Sequence, residues 1–353
     1  MNRLRLVVAL VGVAFVASLS QAQSAVLDIP RQSQHAVLTQ RIGLTDITIN
    51  YHRPLVNSRK IFGAVVPYGQ VWRAGANENT TITFTDPVSI EGKPLDKGTY
   101  GLHMIPAEDQ WTVIFSKVAS AWGSFTYDQK EDALRVTVKP QTAELHDALT
   151  YDFDDLKADS AVATLRWEKV AVPFRISVNV NDILAESLHR QLRGIQQYTW
   201  EGWDDAATTL LATKTHLDDA LQYEDRSIQV EERFDNLMSK SQILDAMGKK
   251  DEASAEKAKA LAKASPLQLH IYARTLQGQK KNDEAFAIFQ SNYKKYPDQW
   301  FVHSGMARVY TAKGDFDNAA KEMKVALGKA PDQVKPQVEG LIKRLENKED
   351  INK

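Results

Sequence analysis

The spacing of hydrophobic residues changes once along the chain, and this change limits the folds that the chain can adopt. In the first half, apolar and polar residues alternate, as in Asp46–His52, where Ile47, Ile49 and Tyr51 share one face. From Asn181 onward the apolar residues recur with helical spacing. Alternation indicates strands with one buried face, and the longer period indicates amphipathic helices. The sequence therefore predicts a multidomain protein, with an all-β antiparallel N-terminal domain, sandwich-like or barrel-like, and an all-α C-terminal domain.

The helical half contains an internal repeat. Two residue types recur in it, at Ala253, Ala285 and Ala319 and at Pro266, Pro297 and Pro331. The alanines are 32 and 34 residues apart, and the prolines 31 and 34. This period, with a small residue in the second helix and a closing proline, resembles that of tetratricopeptide repeats. We expect a protein partner in a groove of these repeats, with Tyr272, His303 and Arg308 as candidate contacts; packing without a dedicated ligand is the alternative.

The N-terminus has the pattern of a signal peptide. Residues 1–5 form a basic head, residues 6–19 are almost entirely apolar, and Ser20-Gln21-Ala22 supplies small residues for cleavage. An apolar run this short favours a cleaved signal, with an uncleaved anchor helix as the alternative. We predict a signal peptide at 1–22, a β-sandwich-like domain at 23–180 and tetratricopeptide-like repeats at 181–353. The mature protein is expected in the periplasm or outside the cell, as part of the cell envelope, with no integral membrane span.

Charge and composition argue against several kinds of function. The net charge of −1 does not provide the basic surface that nucleic-acid binding requires, so no nucleic-acid partner is expected. The chain has no cysteine, and therefore neither disulfides nor thiol chemistry. The histidines of the first half, His35, His52, His103 and His146, lack the spacing of metal ligands. We predict no metal and no cofactor, and no catalytic motif in the sequence identifies an enzyme.

A long connection, Arg53–Thr80, interrupts the alternating strands and is the candidate binding site. Its apolar residues at 61, 62, 65, 66, 71 and 72 should be buried, so an ordered loop is expected. The groups that it could present to a ligand are Arg53, Arg59, Tyr68, Trp72, Arg73, Asn77, Glu78 and Thr80. Arginines suit a small anionic ligand, and the aromatic residues, with Trp122, suit a carbohydrate ring. In the structural alternative, the arginines tie the loop to backbone carbonyls and the aromatics anchor it in the core.

Several motifs of the first half resemble the bacterial domain-of-unknown-function family 2911. They are Tyr51-His-Arg-Pro54, Arg59-Lys-Ile-Phe-Gly63, Val66–Asn77, Thr80, Gly98-Thr-Tyr100, Trp111–Phe115, Trp122-Gly123 and Leu134-Arg-Val136. The resemblance covers roughly residues 26–180. It implies an exported protein with no established reaction, and helical repeats follow this domain in many members. His52 stands where the family usually has Ser, and Ala74 where it usually has Thr, so the resemblance assigns no role to these two side chains.

Three functional hypotheses follow from the sequence. The preferred one is an exported, non-enzymatic binding or scaffold protein, whose β domain holds a small or polymeric ligand at the Arg53–Thr80 loop while the repeats dock a protein. The alternative is an envelope hydrolase built from the same loop, with Glu78 as acid or base beside Asp86 or Asp128. The third is a structural envelope component without a ligand.

Overall fold

The structure, a computed structural model, describes residues 30–352. The signal peptide predicted at 1–22 lies outside the described residues. The chain divides into two compact units, which we describe separately. The β unit comprises the residues before 42 together with Asp46–Ser177, and the helical unit comprises Ile42–Thr45 together with the residues from Val178 onward. The predicted fold class, antiparallel sheets followed by helical repeats, is confirmed.

The β unit consists of two antiparallel sheets. Its strands are β1 Gln34–Ile42, β2 Thr45–Arg53, β3 Thr81–Phe84, β4 Val88–Ile90, β5 Lys93–Leu95, β6 Gly98–Ile105, β7 Trp111–Ser116, β8 Asp132–Val138, β9 Gln141–Asp154 and β10 Ser160–Ser177. One sheet has the order β1-β2-β3-β6-β7-β8 and the other β5-β4-β10-β9. Pairings such as β2 with β3 and β6 with β7 are antiparallel.

The core lies between these sheets. Phe115 of β7 meets Phe174 of β10 with ring centroids 6.0 Å apart, and Tyr51 of β2 meets Tyr151 of β9 at 4.8 Å. The alternation predicted for β2 is correct. In β6, however, His103 faces away from this core and is also buried, because its ring contacts a loop that we name the 117–128 loop.

Two strands differ from the sequence prediction. The sequence gave no indication of β9, whose residues lack strict alternation, and most of whose first half is exposed. The segments predicted as separate strands at 161–167 and 172–180 largely form one strand, β10. Bulges on both sides of Glu168, which has a φ of +55°, shift the register without ending the strand.

The helical unit is a stack of helical hairpins. Its helices are α1 Val180–Gln191, α2 Trp200–Thr213, α3 Leu217–Val230, α4 Phe234–Ala246, α5 Lys250–Lys263, α6 Pro266–Gly278, α7 Asn282–Lys295, α8 Trp300–Ala312, α9 Phe316–Lys329 and α10 Lys335–Glu346. The recurring alanines lie in α5, α7 and α9 and are buried. Within residues 30–352, no helix is both long enough and apolar enough to span a bilayer.

Helices α7 and α8 approach closely at Gly305. A Cβ atom at this position would lie 2.6 Å from a ring carbon of the buried Phe289, whereas a Cβ at Gly340 in α10 would have no neighbour within 4 Å. Only the first glycine is therefore required for helix packing.

We expect the two Gly→Ala substitutions to have opposite effects. Gly340→Ala should raise the free energy of unfolding by about 0.5–1 kcal/mol, since alanine favours the helix. Gly305→Ala should lower it by about 1–3 kcal/mol, because the added methyl group overpacks the contact with Phe289. Urea denaturation followed by circular dichroism measures both. Equal stabilisation by the two substitutions would contradict a close α7–α8 contact.

Two carboxyl groups are buried against each other in the helical unit. Glu224 of α3 is fully buried, and neither its carboxyl oxygens nor Oδ1 of Asp204 in α2 has a donor on another described residue. Burial, and then the nearby Asp204 carboxyl, raises the pKa of Glu224 to about 10. Burial also raises the pKa of Asp204. Glu224 is therefore protonated at neutral pH, and its proton supplies the hydrogen bond that two carboxylates could not form.

This proton makes stability depend on pH. In the unfolded chain the pKa of Glu224 returns to its ordinary value of 4.5. Because the folded protein keeps a proton that the unfolded chain releases, the contribution of Glu224 to stability falls as pH rises from about 4.5 towards about 10. We expect Glu224→Gln to raise the Tm at pH 8, by about 2–4 °C for each kcal/mol gained, and the gain to shrink towards pH 4.5.

Thermal melts of the wild type and of Glu224→Gln between pH 4.5 and pH 9 test this expectation. The exposed Glu201 of α2 provides the matched control, Glu201→Gln. A Tm difference that does not change with pH would show that Glu224 is ionised in the folded protein.

Candidate functional site

Two of the predicted site arginines hold the Arg53–Thr80 loop in place. Arg53 donates from Nε to the carbonyl oxygen of Leu149 (3.0 Å) and from Nη2 to Oγ1 of Thr150 (2.7 Å), both in β9. Arg59 donates to the carbonyl oxygens of Val56 (3.0 Å) and Leu55 (2.6 Å) within the loop. Both side chains have the bonding that the structural alternative describes.

Trp72 and Thr80 also have structural contacts. The Trp72 ring stacks on that of Trp167, with centroids 5.8 Å apart, and its Nε1 donates to the carbonyl oxygen of Gly75 (3.1 Å). Thr80 is fully buried, and its hydroxyl donates to the carbonyl oxygen of Ala74 (3.3 Å). These groups anchor the second half of the loop in the core.

The first half of the loop is anchored by its apolar residues. Ile61 and Phe62 are buried as expected, but Val65 is 45% exposed, so the expectation of burial is wrong there. Val65 lies in a tight turn that Phe62 and Val66 close through a bridge, and this turn leaves its side chain outside. The predicted site residue Tyr68 is half exposed and lies against Gly63, where a Cβ would be 2.9 Å from its ring.

The end of the loop turns sharply at Ala74 and Asn77. Both residues have a left-handed backbone, with φ of +51° and +59°. The carbonyl oxygen of Ala74 accepts a hydrogen bond from the buried hydroxyl of Tyr151 (2.9 Å), and Nδ2 of Asn77 donates to the carbonyl oxygen of Ser33 (3.3 Å). The role of position 74 thus belongs to its main chain rather than to its methyl side chain.

This turn gathers four ionisable residues, Arg31, His52, Arg73 and Glu78, which we name the Glu78 cluster. The Glu78 carboxylate lies 3.1 Å from Nη2 of Arg31 and 3.4 Å from Nε2 of His52. Burial lowers the pKa of His52, and the charge of Glu78 opposes this shift only in part. His52 is therefore mainly neutral at pH 7, and two arginines against one glutamate leave the cluster with a net positive charge.

Arg73 differs from the other arginines of the loop. It makes no ion pair or hydrogen bond with any residue of the described range 30–352, and its Nε is buried without an acceptor. Burial lowers the pKa of Arg73, partly offset by the charge of Glu78. A half-buried guanidinium with free donors is the group in this loop best suited to receive an anion from outside.

Two exposed aromatic residues of the 117–128 loop border the cluster. Trp122 is 47% exposed and lies over Arg31 at 5.3 Å, while Phe125 is 81% exposed and lies 6.0 Å from Arg73. Gly123 between them has a φ of +68°, and a Cβ there would be 2.5 Å from Nη1 of Arg73. We name Trp122 and Phe125 the aromatic rim.

His103 fixes this loop from below. Its Nδ1 is 2.8 Å from the Ser124 hydroxyl, and its ring contacts Tyr127. Burial lowers the pKa of His103 to about 4, with Asp132 opposing the shift, so the ring is neutral at pH 7. His103 positions the aromatic rim rather than binding a ligand itself.

The remaining sequence candidates lie outside the Glu78 cluster. Asp128 accepts a hydrogen bond from the backbone of Lys130, and Asp86 accepts one from the Thr85 hydroxyl, so neither carboxylate is paired with Glu78. Within residues 30–352, no three histidine, aspartate or glutamate side chains are placed to hold a metal ion. The hydrolase alternative stays a prediction.

Sequence reasoning missed Arg31 and Phe125. Arg31 precedes β1 and belongs to no motif, so nothing in the sequence indicated that it reaches Glu78. Phe125 lies in Trp122–Tyr127, where three aromatic residues alternate with small ones, and this clustering in a loop was a usable signal.

The helical unit contains a cleft of about 730 Å³ between α4 and α6, with α5 beside it. We name it the α4–α6 cleft. It is lined by Phe234, Asp235, Met238, Ser241, Gln242, Asp245, Ala253, Ser254, Lys257, Gln268, Ile271, Tyr272, Thr275, Leu276, Gln279 and Lys281.

Of the three helical candidates, only Tyr272 lines this cleft. His303 is buried, with Nδ1 2.7 Å from Glu322 and Nε2 2.8 Å from the carbonyl oxygen of Pro297, so its contacts are internal. Arg308 is buried and donates to the carbonyl oxygen of Ile351.

Comparisons with known proteins match both units. Residues 33–176 match the model of a protein of unknown function, DUF2911, and residues 157–344 match that of the coatomer epsilon subunit. The matches share residues 157–176, which the structure places at the end of the β unit, so the helical part of the second match begins in α1. A search of curated proteins found no match.

Two solved structures resemble the helical part. The structure titled "YrrB: a TPR protein with an unusual peptide-binding site" is 14% identical, with a TM-score of 0.27, over 46% of this chain and 89% of that one. Yeast Tom70 is 15% identical, with a TM-score of 0.21, over 42% of this chain and only 40% of its own length.

The two family matches cover most of the described residues. The second alone spans more than half of the chain. The chain belongs to the DUF2911 family through its β unit and, through its tetratricopeptide-like helices, to the coatomer epsilon subunit family.

Proposed function

We propose that this is an exported binding protein whose helical unit docks an extended segment of a partner protein in the α4–α6 cleft. The carrying observation is the cleft itself, which is large enough for several side chains and opens between successive hairpins. Helical repeats with the same fold class commonly bind protein segments along such surfaces. Export is supported by the signal-peptide pattern of residues 1–22.

The cleft lining suits a peptide. Ile271 is 55% exposed and offers apolar contact, while Asp235 and Lys257 offer charges of both signs. Lys257 is held by Glu284 (2.7 Å) and lies 5.7 Å from the Tyr272 ring, so its position is fixed before a ligand arrives. Apolar anchors beside preorganised polar groups are what peptide-binding surfaces provide.

We expect Ile271→Asp to weaken peptide binding at least about tenfold, because a carboxylate would replace the apolar contact and lose water on binding. Peptides are first selected from a random displayed library on residues 23–353. Their affinities for the wild type and the variant are then measured by fluorescence anisotropy.

The matched control is Val325→Asp in α9, which is 42% exposed and lies outside the cleft lining. This control should bind as the wild type does. Selected peptides whose affinity is the same for all three proteins would place the docking surface elsewhere.

A second function is favoured by Arg73. We propose that the Glu78 cluster and the aromatic rim bind a small ligand that carries an anionic group on a ring, such as an acidic sugar. Arg73 would receive the anion, since its donors have no acceptor among the described residues. Trp122 and Phe125 would cover the ring faces, since their own rings are exposed beside the two arginines.

The two kinds of arginine in the loop should respond differently to removal. Arg53→Gln should lower the free energy of unfolding by about 1–3 kcal/mol, since two hydrogen bonds are lost. Arg73→Gln should change it by less than about 1 kcal/mol, since only a ring contact is lost.

Thermal-shift measurements with glucuronate, galacturonate, phosphate and sulfate, on residues 23–353 and both variants, test this second function. A stabilisation by a uronate that persists in Arg53→Gln and vanishes in Arg73→Gln supports it. If Arg73→Gln unfolds as early as Arg53→Gln and no anion stabilises the wild type, Arg73 has a structural role.

A further inference from the structure

The segment that follows α10, residues 347–352, folds back onto helices of the same unit. Nδ2 of Asn352 donates to the carbonyl oxygen of Arg308 in α8 (3.0 Å), and Nε2 of Gln277 in α6 donates to Oδ1 of Asn352 (2.8 Å). Arg344 of α10 donates to the carbonyl oxygen of Asp350 (2.7 Å). We name this segment the tail; it joins helices from three successive hairpin positions.

Three arginines surround the tail. Arg274, Arg308 and Arg344 lie in α6, α8 and α10 and are 34 and 36 residues apart, which is the repeat period. Arg308 is only 7% exposed, and its Nε has no acceptor among residues 30–352 although another of its nitrogens bonds the Ile351 carbonyl. Burial, then the charges of Arg274 and Arg344, lowers the pKa of Arg308 to about 9. We name these residues the arginine row.

The tail supplies the opposite charge. Glu349 lies 3.4 Å from Nε of Arg344, and the carboxylate of Asp350 acts on Arg308 with a favourable charge interaction. Ile351 is 2% exposed and packs in the apolar cluster of α8, α9 and α10, so it anchors the segment. The tail therefore has the features of a bound acidic peptide: an apolar anchor, flanking carboxylates and main-chain hydrogen bonds.

We propose that the tail is an internal ligand of the arginine row, and that an acidic extended segment of a partner protein binds the row when the tail leaves. Charge complementarity identifies the partner chemistry. The tail satisfies Arg308 with a single carbonyl oxygen, whereas a carboxylate can accept two hydrogen bonds from a guanidinium. An acidic partner would therefore use donors that the tail leaves unused.

Tethering decides how strongly the tail competes. A segment linked by a few residues is present at an effective concentration on the order of millimolar, so a free peptide must exceed this or bind better. Weakening the tail anchor should therefore raise the apparent affinity of the row for external peptides without changing the row. This surface is distinct from the α4–α6 cleft, whose lining contains none of the three arginines.

The test uses residues 23–353 and a labelled peptide with the tail sequence, Asn347–Lys353, as the probe. A second probe has lysine in place of both acidic residues. Ile351→Asn removes the apolar anchor, and Asn352→Ala removes two side-chain hydrogen bonds without touching the apolar cluster. Fluorescence anisotropy should show at least about tenfold tighter binding of the acidic probe to either variant than to the wild type.

Two controls make the result specific. Adding Arg308→Gln to Asn352→Ala should abolish the gain, and Ile271→Asp should leave it unchanged, which separates this surface from the cleft. Asn352→Ala keeps the test decisive if Ile351→Asn fails to fold. Equal affinity of the acidic probe for the wild type and Asn352→Ala, or equal binding of the two probes to the variants, would overturn the proposal.

Discussion

The main-chain carbonyl of Ala74 accepts hydrogen bonds from two buried hydroxyls, and the geometry of the candidate ligand site depends on this arrangement. Tyr151 of β9 donates from 2.9 Å and Thr80 from 3.3 Å. The next residue, Gly75, could not carry a side chain, because a Cβ would lie 2.4 Å from the Thr80 hydroxyl. With the turn held in this way, Arg73 and Glu78 come within electrostatic reach of each other at the rim of the sheet.

In the helical unit, the corresponding constraint is the size of the side chains where helices touch. Ala285 and Ala319 are fully buried, and Gly305 allows the Phe289 ring to approach. Close approach within and between the last hairpins leaves no room there for a peptide to enter. The α4–α6 cleft opens one hairpin earlier, and it is bordered by larger groups such as Met238 and Tyr272.

The sequence predicted the fold class because its signal is repeated many times. Alternation over a strand such as β2 and a repeat of about 34 residues are each overdetermined, so a local exception does not change the result. β9 was missed because its first half is mostly exposed on both faces, and exposed strands lack an apolar period. Val65 was misjudged because hydrophobicity alone does not show on which side of a tight turn a residue lies.

The candidate site was less predictable for a related physical reason. Arg53, Arg59 and Arg73 are the same residue type in one loop, and the sequence cannot distinguish them. Their roles depend on where carbonyl acceptors lie in space: Arg53 meets β9 and Arg59 meets its own loop, whereas Nε of Arg73 meets no acceptor on a described residue. Contacts that join residues far apart in the chain are invisible to local pattern.

The unpaired donors point to function more directly than the paired ones. A buried guanidinium nitrogen without an acceptor costs free energy, and a folded protein keeps such a group only where something else offsets the cost. Arg73 in the β unit and Arg308 in the helical unit both have a buried Nε without an acceptor among residues 30–352. Arg53, by contrast, contributes to stability through two hydrogen bonds. The arginines that stabilise the protein least are therefore the ones that we assign to binding.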